Sequence, residues 1–256
     1  MEEKENKNYT IAEDFELPSK GLIYDVAVDP HVRLKSMTMR DELKRTAPTK
    51  YQYKVLSEII ESCMLTKPKV SVYDMCIGDF DYLLHKLRIV THSEKYEMLA
   101  MCPNCGHWEE ITVDLNKEET IDFDLNEFKE LLTLKLKSGK EITLNYHTPR
   151  ILDNIKNKAN EMREKATSAD IDFEKLVNIQ ESIALVDGVK LSYTQKENFI
   201  NNLTAADYTK IDKRLEKINS LIGLKNEIPF TCSSCNQDVK TFFRFGPEFF
   251  RPSNDE

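Results

Sequence analysis

The sequence predicts an α+β protein in which small β ribbons are combined with an N-terminal helical segment and a mostly helical insertion. Two CxxC motifs, at residues 102–105 and 232–235, stand about half a chain apart and mark the ribbons. Apolar residues at three- and four-residue spacing predict helices before the first motif and between the two motifs. Short alternating stretches beside the motifs predict the strands.

The two CxxC motifs predict one shared metal site. Two cysteines spaced by two residues place both sulfurs on one tight turn, and two such turns supply the four thiolates of a tetrahedral zinc site. Four protein sulfurs leave no coordination position for water or substrate, so we expect one structural zinc per chain within zinc-ribbon-like β elements. Gly106 fits this interpretation, because the position after the second sulfur often needs a conformation that glycine adopts easily. The predicted ligands are Cys102, Cys105, Cys232 and Cys235.

Other interpretations of the cysteines stay open. Spacing alone does not exclude an iron–sulfur site, and a redox-active CxxC is a further alternative, although it would give the second pair no purpose. His107 could replace one sulfur, but a solvated histidine beside the turn is the simpler interpretation. Cys63 and Cys76 lie among apolar residues, so we expect them to be buried free thiols.

Composition limits the class of protein. The chain has 256 residues, 40% hydrophobic and 31% charged, and no apolar run approaches the roughly 20 residues that cross a bilayer. The N-terminus lacks the apolar stretch of a secretory signal, so we expect the thiols to mature in a reducing cytoplasm, which favours zinc over disulfides. A net charge of −8 argues against nucleic acid as a partner.

The N-terminal elements follow in order. Residues 15–24 combine apolar anchors with a Pro-Ser-Lys-Gly turn and predict an ordered arm or edge strand. Residues 26–37 predict a strand interrupted at Pro30. A hydroxyl at Thr38 with an acid three residues later predicts a helix start. Two further helices are expected, one opening at residues 48–52 and one over residues 79–90.

The elements after the first motif predict the insertion. Residues 109–115 alternate as a strand, with residues 121–125 as a candidate pairing segment, and residues 134–146 predict a hairpin with a Ser-Gly turn. Residues 150–222 predict helices, with starts near Thr194 and Thr204 and a C-terminal cap at Gly223. The second motif follows residues 228–231, and residues 239–245 predict a final strand.

These elements divide the chain into three parts. Residues 1–14 are predicted to be a disordered N-terminus. Residues 15–125 together with 226–256 are expected to form a domain of arm, helices and zinc ribbon. Residues 126–225 are expected to form the hairpin and helical insertion, whose two ends the metal would hold together.

Two apolar segments are candidates for partner contacts. Five phenylalanines fall within residues 242–250, more than one small ribbon should bury. They favour equally a docking surface for a partner and packing against the rest of this chain. The candidate partner-binding residues, including those of the N-terminal arm, are Leu17, Pro18, Tyr24, Phe243, Phe245, Phe249 and Phe250.

The motifs of common enzyme classes are missing from the sequence. The seven glycines form no GxGxxG or phosphate-binding loop, and no HExxH, GxSxG or calcium-loop pattern occurs. The five histidines are scattered through unrelated segments. We therefore expect a non-enzymatic protein without a small-molecule substrate.

Several segments follow one another in a recognisable order and approximate spacing. They are 17–21, 37–42, 59–63, Ile77-Gly78-Asp79-Phe80-Asp81, 87–89, 95–97 and 102–106. In this order they resemble a known family, the baseplate hub assembly proteins of T-even-type contractile-tailed bacteriophages. The resemblance covers about residues 15–115 and is diffuse thereafter. It departs from the family pattern at residues 92–95, where the family more often has Gly-Pro before the tyrosine.

The resemblance implies a non-enzymatic protein of virion assembly. It would be a structural component of the tail baseplate hub or a chaperone of its assembly, with other hub or tail proteins as partners. It would work in the host cytoplasm during assembly and could remain in the virion tail. The alternative from another class is a zinc-ribbon adaptor that binds nucleic acid or transcription machinery, and a third is a CxxC oxidoreductase.

Overall fold

The computed structural model describes residues 12–166, 171–243 and 247–250. Helices and small antiparallel sheets alternate along the chain, which confirms the predicted α+β class. The strands are β1 (Ala12–Glu16), β2 (His31–Lys35), β3 (Lys95–Met101), β4 (Trp108–Asp114), β5 (Thr133–Lys135), β6 (Glu141–Leu144), β7 (Ile183–Val186), β8 (Glu227–Thr231) and β9 (Asp238–Phe242). The helices are α1 (Met39–Thr46), α2 (Gln52–Cys63), α3 (Ile77–Thr91), α4 (Leu125–Leu132), α5 (Pro149–Lys165), α6 (Phe173–Ser182), α7 (Tyr193–Asn201) and α8 (Ala205–Asn219).

Within the described residues, the strands form four separate antiparallel sheets. Three are two-stranded, β1–β2, β3–β4 and β8–β9, and the fourth has the order β5–β6–β7. Met101 lies opposite Trp108 at the end of β3–β4, and Thr231 lies opposite Asp238 at the end of β8–β9. Each CxxC motif therefore occupies the turn at the tip of its own hairpin.

Two larger hydrophobic cores lie under these sheets. The first combines both ends of the chain and includes Leu34, Leu83 and Phe249, each fully buried. The second is built mainly from residues 123–222, with Ile142 and Ile211 at its centre. The apolar stripes that predicted helices thus face cores, as amphipathic helices do. The division into domains stays a prediction.

Helix α3 joins the two cores. Leu83, Leu87 and Phe80 belong to the first core, whereas Cys76, which caps the helix through its sulfur, belongs to the second. Gly78 in the first turn touches the loop after α8, because a Cβ atom at this position would lie 2.1 Å from the carbonyl oxygen of Ile222. Only a glycine allows the two backbones to approach this closely.

Helix α2 receives its N-terminal cap from the insertion. Its own N-cap residue, Tyr51, makes no side-chain hydrogen bond. The backbone N–H groups of Tyr53 and Lys54 instead donate to the carboxylate of Asp153 in α5, at 3.2 and 2.9 Å. The hydroxyl of Tyr73 donates to the same buried carboxylate at 3.0 Å. One side chain therefore satisfies two of the free donors at a helix start and links distant segments.

Several predicted helix and strand starts are confirmed. The side chain of Thr38 accepts from the backbone of Asp41 in a complete capping box at the start of α1. The side chain of Thr204 likewise accepts from the backbone N–H of Asp207 at the start of α8. Strands β5 and β6 form the hairpin predicted over residues 134–146.

Other predicted boundaries are wrong. Helix α7 is capped by Ser192 with Gln195, two residues before the predicted start at Thr194, because the earlier hydroxyl completes the capping box. Helix α8 ends at Asn219, so Gly223 is not its cap. Gly223 has a φ of +125° and lies against Gly78. This close backbone contact explains why position 223 is a glycine.

The strand predictions also need correction. Residues 183–186, predicted to be helical, form β7 and pair with β6, where Ile183 and Val186 are buried. Strand β4 pairs with β3 instead of residues 121–125. Residues 12–14, predicted to be disordered, belong to β1, because β2 supplies their backbone partners.

No helix in the described part of the chain is long and apolar enough to span a membrane.

Candidate metal centre

The first CxxC motif forms a tight turn with a defined hydrogen-bond pattern. The backbone N–H of Cys102 donates to the carbonyl of His107 at 2.8 Å, and that of Gly106 donates back to the carbonyl of Cys102 at 2.9 Å. Gly106 has a φ of +74°, which confirms the conformation expected after the second sulfur. Both backbone bonds leave the sulfurs of Cys102 and Cys105 free to point to one side.

The second motif repeats this turn almost bond for bond. Cys232 donates from its backbone to the carbonyl of Gln237 at 3.0 Å, and Asn236 donates back to Cys232 at 2.9 Å. Asn236 takes the place of the glycine with a φ of +53°, a conformation that asparagine tolerates better than most residues. The two hairpin tips therefore present Cys232 and Cys235 in the same way as the first pair.

The four sulfurs converge on one point. All four ligand atoms lie within 4.8 Å of one another, with Cys102 Sγ 3.8 Å from Cys235 Sγ and Cys105 Sγ 3.7 Å from Cys232 Sγ. A tetrahedron of zinc–sulfur bonds of about 2.3 Å has edges of about 3.8 Å, whereas a disulfide would need about 2.05 Å. The donor set and spacing thus fit a tetrahedral metal ion.

Polar groups contact the sulfurs and join the two hairpins. The side-chain amide of Asn104 donates to Cys235 Sγ at 3.6 Å and is the main one of several hydrogen bonds that lower the pKa of the Cys235 thiol to about 7, whereas the pKa of the neighbouring Cys232 thiol is raised to about 12. The backbone N–H of Ser233 donates to the carboxylate of Glu109 in β4 at 3.1 Å, and hydrogen bonds from the side chain and backbone of Ser233 hold the pKa of Glu109 below its usual value. The second contact ties one hairpin to the other beside the sulfurs.

The histidines are not part of this cluster. His107 is exposed and lies outside the group of four ligand atoms found among the described residues. His85 is fully buried, with its ring 6.4 Å from Phe249 and 6.1 Å from Phe243, centroid to centroid. Burial is the main cause that lowers the pKa of His85 to about 3, so this ring is a neutral core residue. Cys63 and Cys76 are buried and free, as predicted.

The N-terminal candidates for partner binding lie inside the chain. Leu17 and Pro18 are buried, and Leu17 belongs to the first core. The Tyr24 hydroxyl donates to the carboxylate of Asp79 at 2.6 Å, and the backbone N–H of Ser19 donates to it at 2.9 Å. Burial raises the pKa of Asp79, while these hydrogen bonds oppose the rise. The arm is therefore anchored on α3, and partner binding by its residues stays a prediction.

The C-terminal candidates within the described residues, Phe243, Phe249 and Phe250, are buried as well. Phe243 and Phe249 meet edge to face with centroids 5.2 Å apart, and both contact the ring of Tyr96. Phe250 lies in the same core beneath the guanidinium of Arg45, 5.6 Å from the ring centroid. The structure therefore shows these three rings packed against the rest of this chain, and not exposed as a docking surface. Phe245 lies outside the described residues.

The exposed apolar residues are different ones. Met101 and Trp108 face each other across β3 and β4, and Leu99 lies two residues from Met101 on the same face. Their side chains are 46%, 59% and 66% exposed, and Phe242 in β9 is 60% exposed. The period-two alternation of residues 95–101, read against the hairpin partner, would have identified the first three.

Comparison with known proteins gives a family match. The model of the family described as T4 bacteriophage base plate protein matches residues 9–251. No curated protein and no solved structure shows significant similarity to the chain. The family match includes both hairpins, both CxxC motifs and the whole insertion, well beyond the segments that carry the resemblance in the sequence.

Proposed function

Because the chain belongs to the family of T4 bacteriophage base plate proteins, we propose that it is a non-enzymatic protein of the tail baseplate hub. It acts there as a structural component or as an assembly chaperone, in the host cytoplasm and in the virion tail. The observation that carries this proposal is the family match over residues 9–251. Its partners are other baseplate or tail proteins.

The metal centre has a structural role in this proposal. Zinc bound by four cysteine thiolates has no open position for chemistry, so its contribution is to stability. The sulfur spacings of 3.7 and 3.8 Å support this assignment. A two-stranded hairpin is marginally stable alone, and the shared ion would join the two hairpins at their tips.

The buried carboxylates support a non-enzymatic role. Asp79 holds the N-terminal arm, and Asp153 caps α2. Asp207 accepts from the backbone N–H of Lys137 at 2.7 Å and from Thr204 at the start of α8. Each of these three groups is used for a structural hydrogen bond, as buried polar groups in stable interiors are.

A baseplate protein also needs exposed contact surfaces. The hairpin of β3 and β4 offers one at Leu99, Met101 and Trp108. Large exposed aromatic and aliphatic side chains that lie together mark sites of protein association. We place contacts with neighbouring hub proteins on this face.

Quantitative mass spectrometry of purified phage particles, beside the infected-cell lysate, tests the proposal. A fixed ratio of the chain to other tail proteins in mature particles identifies a structural component. Abundance in the lysate on isolated hub intermediates, without incorporation into particles, identifies a chaperone. Absence from both particles and hub intermediates would contradict the proposed function.

A further inference from the structure

One residue of the segment 77–81 has no structural task. Gly78 allows close contact with Ile222, Asp79 anchors the N-terminal arm, and Phe80 fills the first core. The carboxylate of Asp81 forms no hydrogen bond or ion pair with any residue that the structure describes. Asp81 is half-buried, and a carboxylate that is partly removed from water without a hydrogen bond or counter-charge lowers stability, so its presence points to a use outside the folded chain.

Asp81 lines a cavity between α3 and the segment that follows α8. The cavity has a volume of about 570 Å³, within the range of sites that hold a ligand or a side chain from a partner. Its walls are mainly apolar, and exposed Phe242 lies at its edge. The apolar side chains in the lining are Ile77, Ile121, Ile222, Leu224 and Phe242.

The other charges at the cavity are already paired. Lys225 contacts Glu119 at 2.6 Å, and Glu227 contacts Lys240 at 2.5 Å. Asp81 is therefore the charge without a counter-charge among the described residues that line the cavity. Burial alone raises the pKa of its carboxyl to about 7, because no donor or cation in the described part of the chain compensates for the lost water.

We propose that this cavity binds an arginine side chain of another baseplate protein, with the carboxylate of Asp81 as its counter-charge. The inference rests on the proposed function for the identity of the partner. Arginine fits because a guanidinium pairs with a carboxylate in two parallel hydrogen bonds, is weakly hydrated, and stacks on aromatic rings such as Phe242. The apolar walls contact the methylene groups of its stem.

The cavity itself is tested with defined peptides and the purified full-length chain. Nuclear magnetic resonance follows the backbone amides of Gly78, Gly223 and Phe242 during titration with N-acetyl-Gly-Arg-Gly-amide. The matched neutral peptide has citrulline in place of arginine, and a lysine peptide tests the choice of cation. We expect the arginine peptide to shift these three signals, the lysine peptide to bind more weakly, and the citrulline peptide to bind at least tenfold more weakly.

Two variants complete the binding test. Asp81→Asn keeps the shape and removes the charge, so it should weaken arginine binding at least tenfold. Asp25→Asn is the control, because Asp25 is exposed and lies outside the cavity. Equal binding of the arginine and citrulline peptides, or unchanged binding by Asp81→Asn, overturns the proposal.

The partner is tested in phage that carry the same two substitutions. We expect Asp81→Asn to reduce the amount of the chain on hub intermediates or in particles at least threefold, and Asp25→Asn to leave it unchanged. Equal amounts for both variants overturn the proposal, even when the peptide binds. Absence of the wild-type chain from intermediates and particles contradicts the proposed function instead, and the peptide titration then still decides whether the cavity binds arginine.

Discussion

The two regions that hold the insertion in place differ in what stabilises them. At the hairpin tips, four cysteines converge, and Cys105 is exposed. In the interior, Gly78 touches the backbone of Ile222, and Asp153 caps α2 from α5. The first region would depend on the proposed zinc ion, whereas the second depends on close packing and buried hydrogen bonds. Each region should therefore lose its structure independently of the other and under different conditions.

Removal of one metal ligand should have the largest effect. Cys102→Ser, or chelation of the wild-type chain, should abolish zinc binding and lower the free energy of unfolding by roughly 5 kcal/mol or more, since structural zinc binds with roughly 10 kcal/mol or more. Zinc analysis and thermal unfolding measure both effects. Cys63→Ala is the control, because its buried thiol is remote from the cluster and one zinc per chain should remain. An unchanged melting temperature after chelation would contradict the account.

Loss of the cap from the insertion should come next. Asp153→Ala leaves the N–H groups of Tyr53 and Lys54 and the hydroxyl of Tyr73 without their buried acceptor. We expect a loss of about 3 kcal/mol in urea unfolding, with zinc content unchanged.

The control for this change is an exposed carboxylate. Glu130→Gln should alter stability by less than about 0.5 kcal/mol, because Glu130 lies on the surface of α4. Loss of zinc from Asp153→Ala would show that the two regions are coupled, and not independent.

A methyl group at the glycine contact should have a somewhat smaller effect. Gly78→Ala forces the new Cβ to within 2.1 Å of the Ile222 carbonyl oxygen unless the backbones separate. Overpacking of this kind costs about 2 kcal/mol. Gly139→Ala is the comparison, since Gly139 has open space around it and only the strain of a φ of +85°. If both variants lose the same stability, close contact is not what requires glycine at position 78.

The carboxyl of Asp81 should produce the smallest change, visible as a pH dependence. Its pKa rises from 3.8 to about 7 on folding because of burial. A carboxyl whose pKa is higher in the folded than in the unfolded state contributes its full stabilisation below pH 4. This stabilisation is lost as the pH rises through about 7. Because Asp81 is only half-buried, solvent screening reduces the effect of this rise on stability. Asp81→Asn should therefore be more stable than the wild type at pH 8, by on the order of 1–2 kcal/mol, and equal near pH 4. Parallel pH profiles of the two proteins in urea unfolding would contradict this.

The sequence was sufficient where local chemistry decides the structure. The CxxC spacing located all four sulfurs, and the hydroxyl of Thr38 located the start of α1. These signals lie within a few residues of the feature that they determine. The α+β class follows from the same local patterns.

Long-range contacts account for what the sequence did not show. Residues 183–186 have apolar runs that suit a helix or a buried strand, and only the neighbouring β6 decides for a strand. Asp153 caps a helix about 100 residues away, and no local pattern distinguishes it from a solvated carboxylate. Phe249 and Phe250 could equally pack inward or face a partner until the position of α3 and Tyr96 is known.

X-ray absorption at the zinc edge of the purified full-length chain tests the central claim most directly. The account predicts one zinc per chain with four sulfur neighbours at about 2.3 Å, and none in Cys102→Ser. A nitrogen neighbour in place of a sulfur, an iron–sulfur signature, or wild-type protein purified under reducing conditions without metal would contradict a four-thiolate zinc centre that joins the two hairpins.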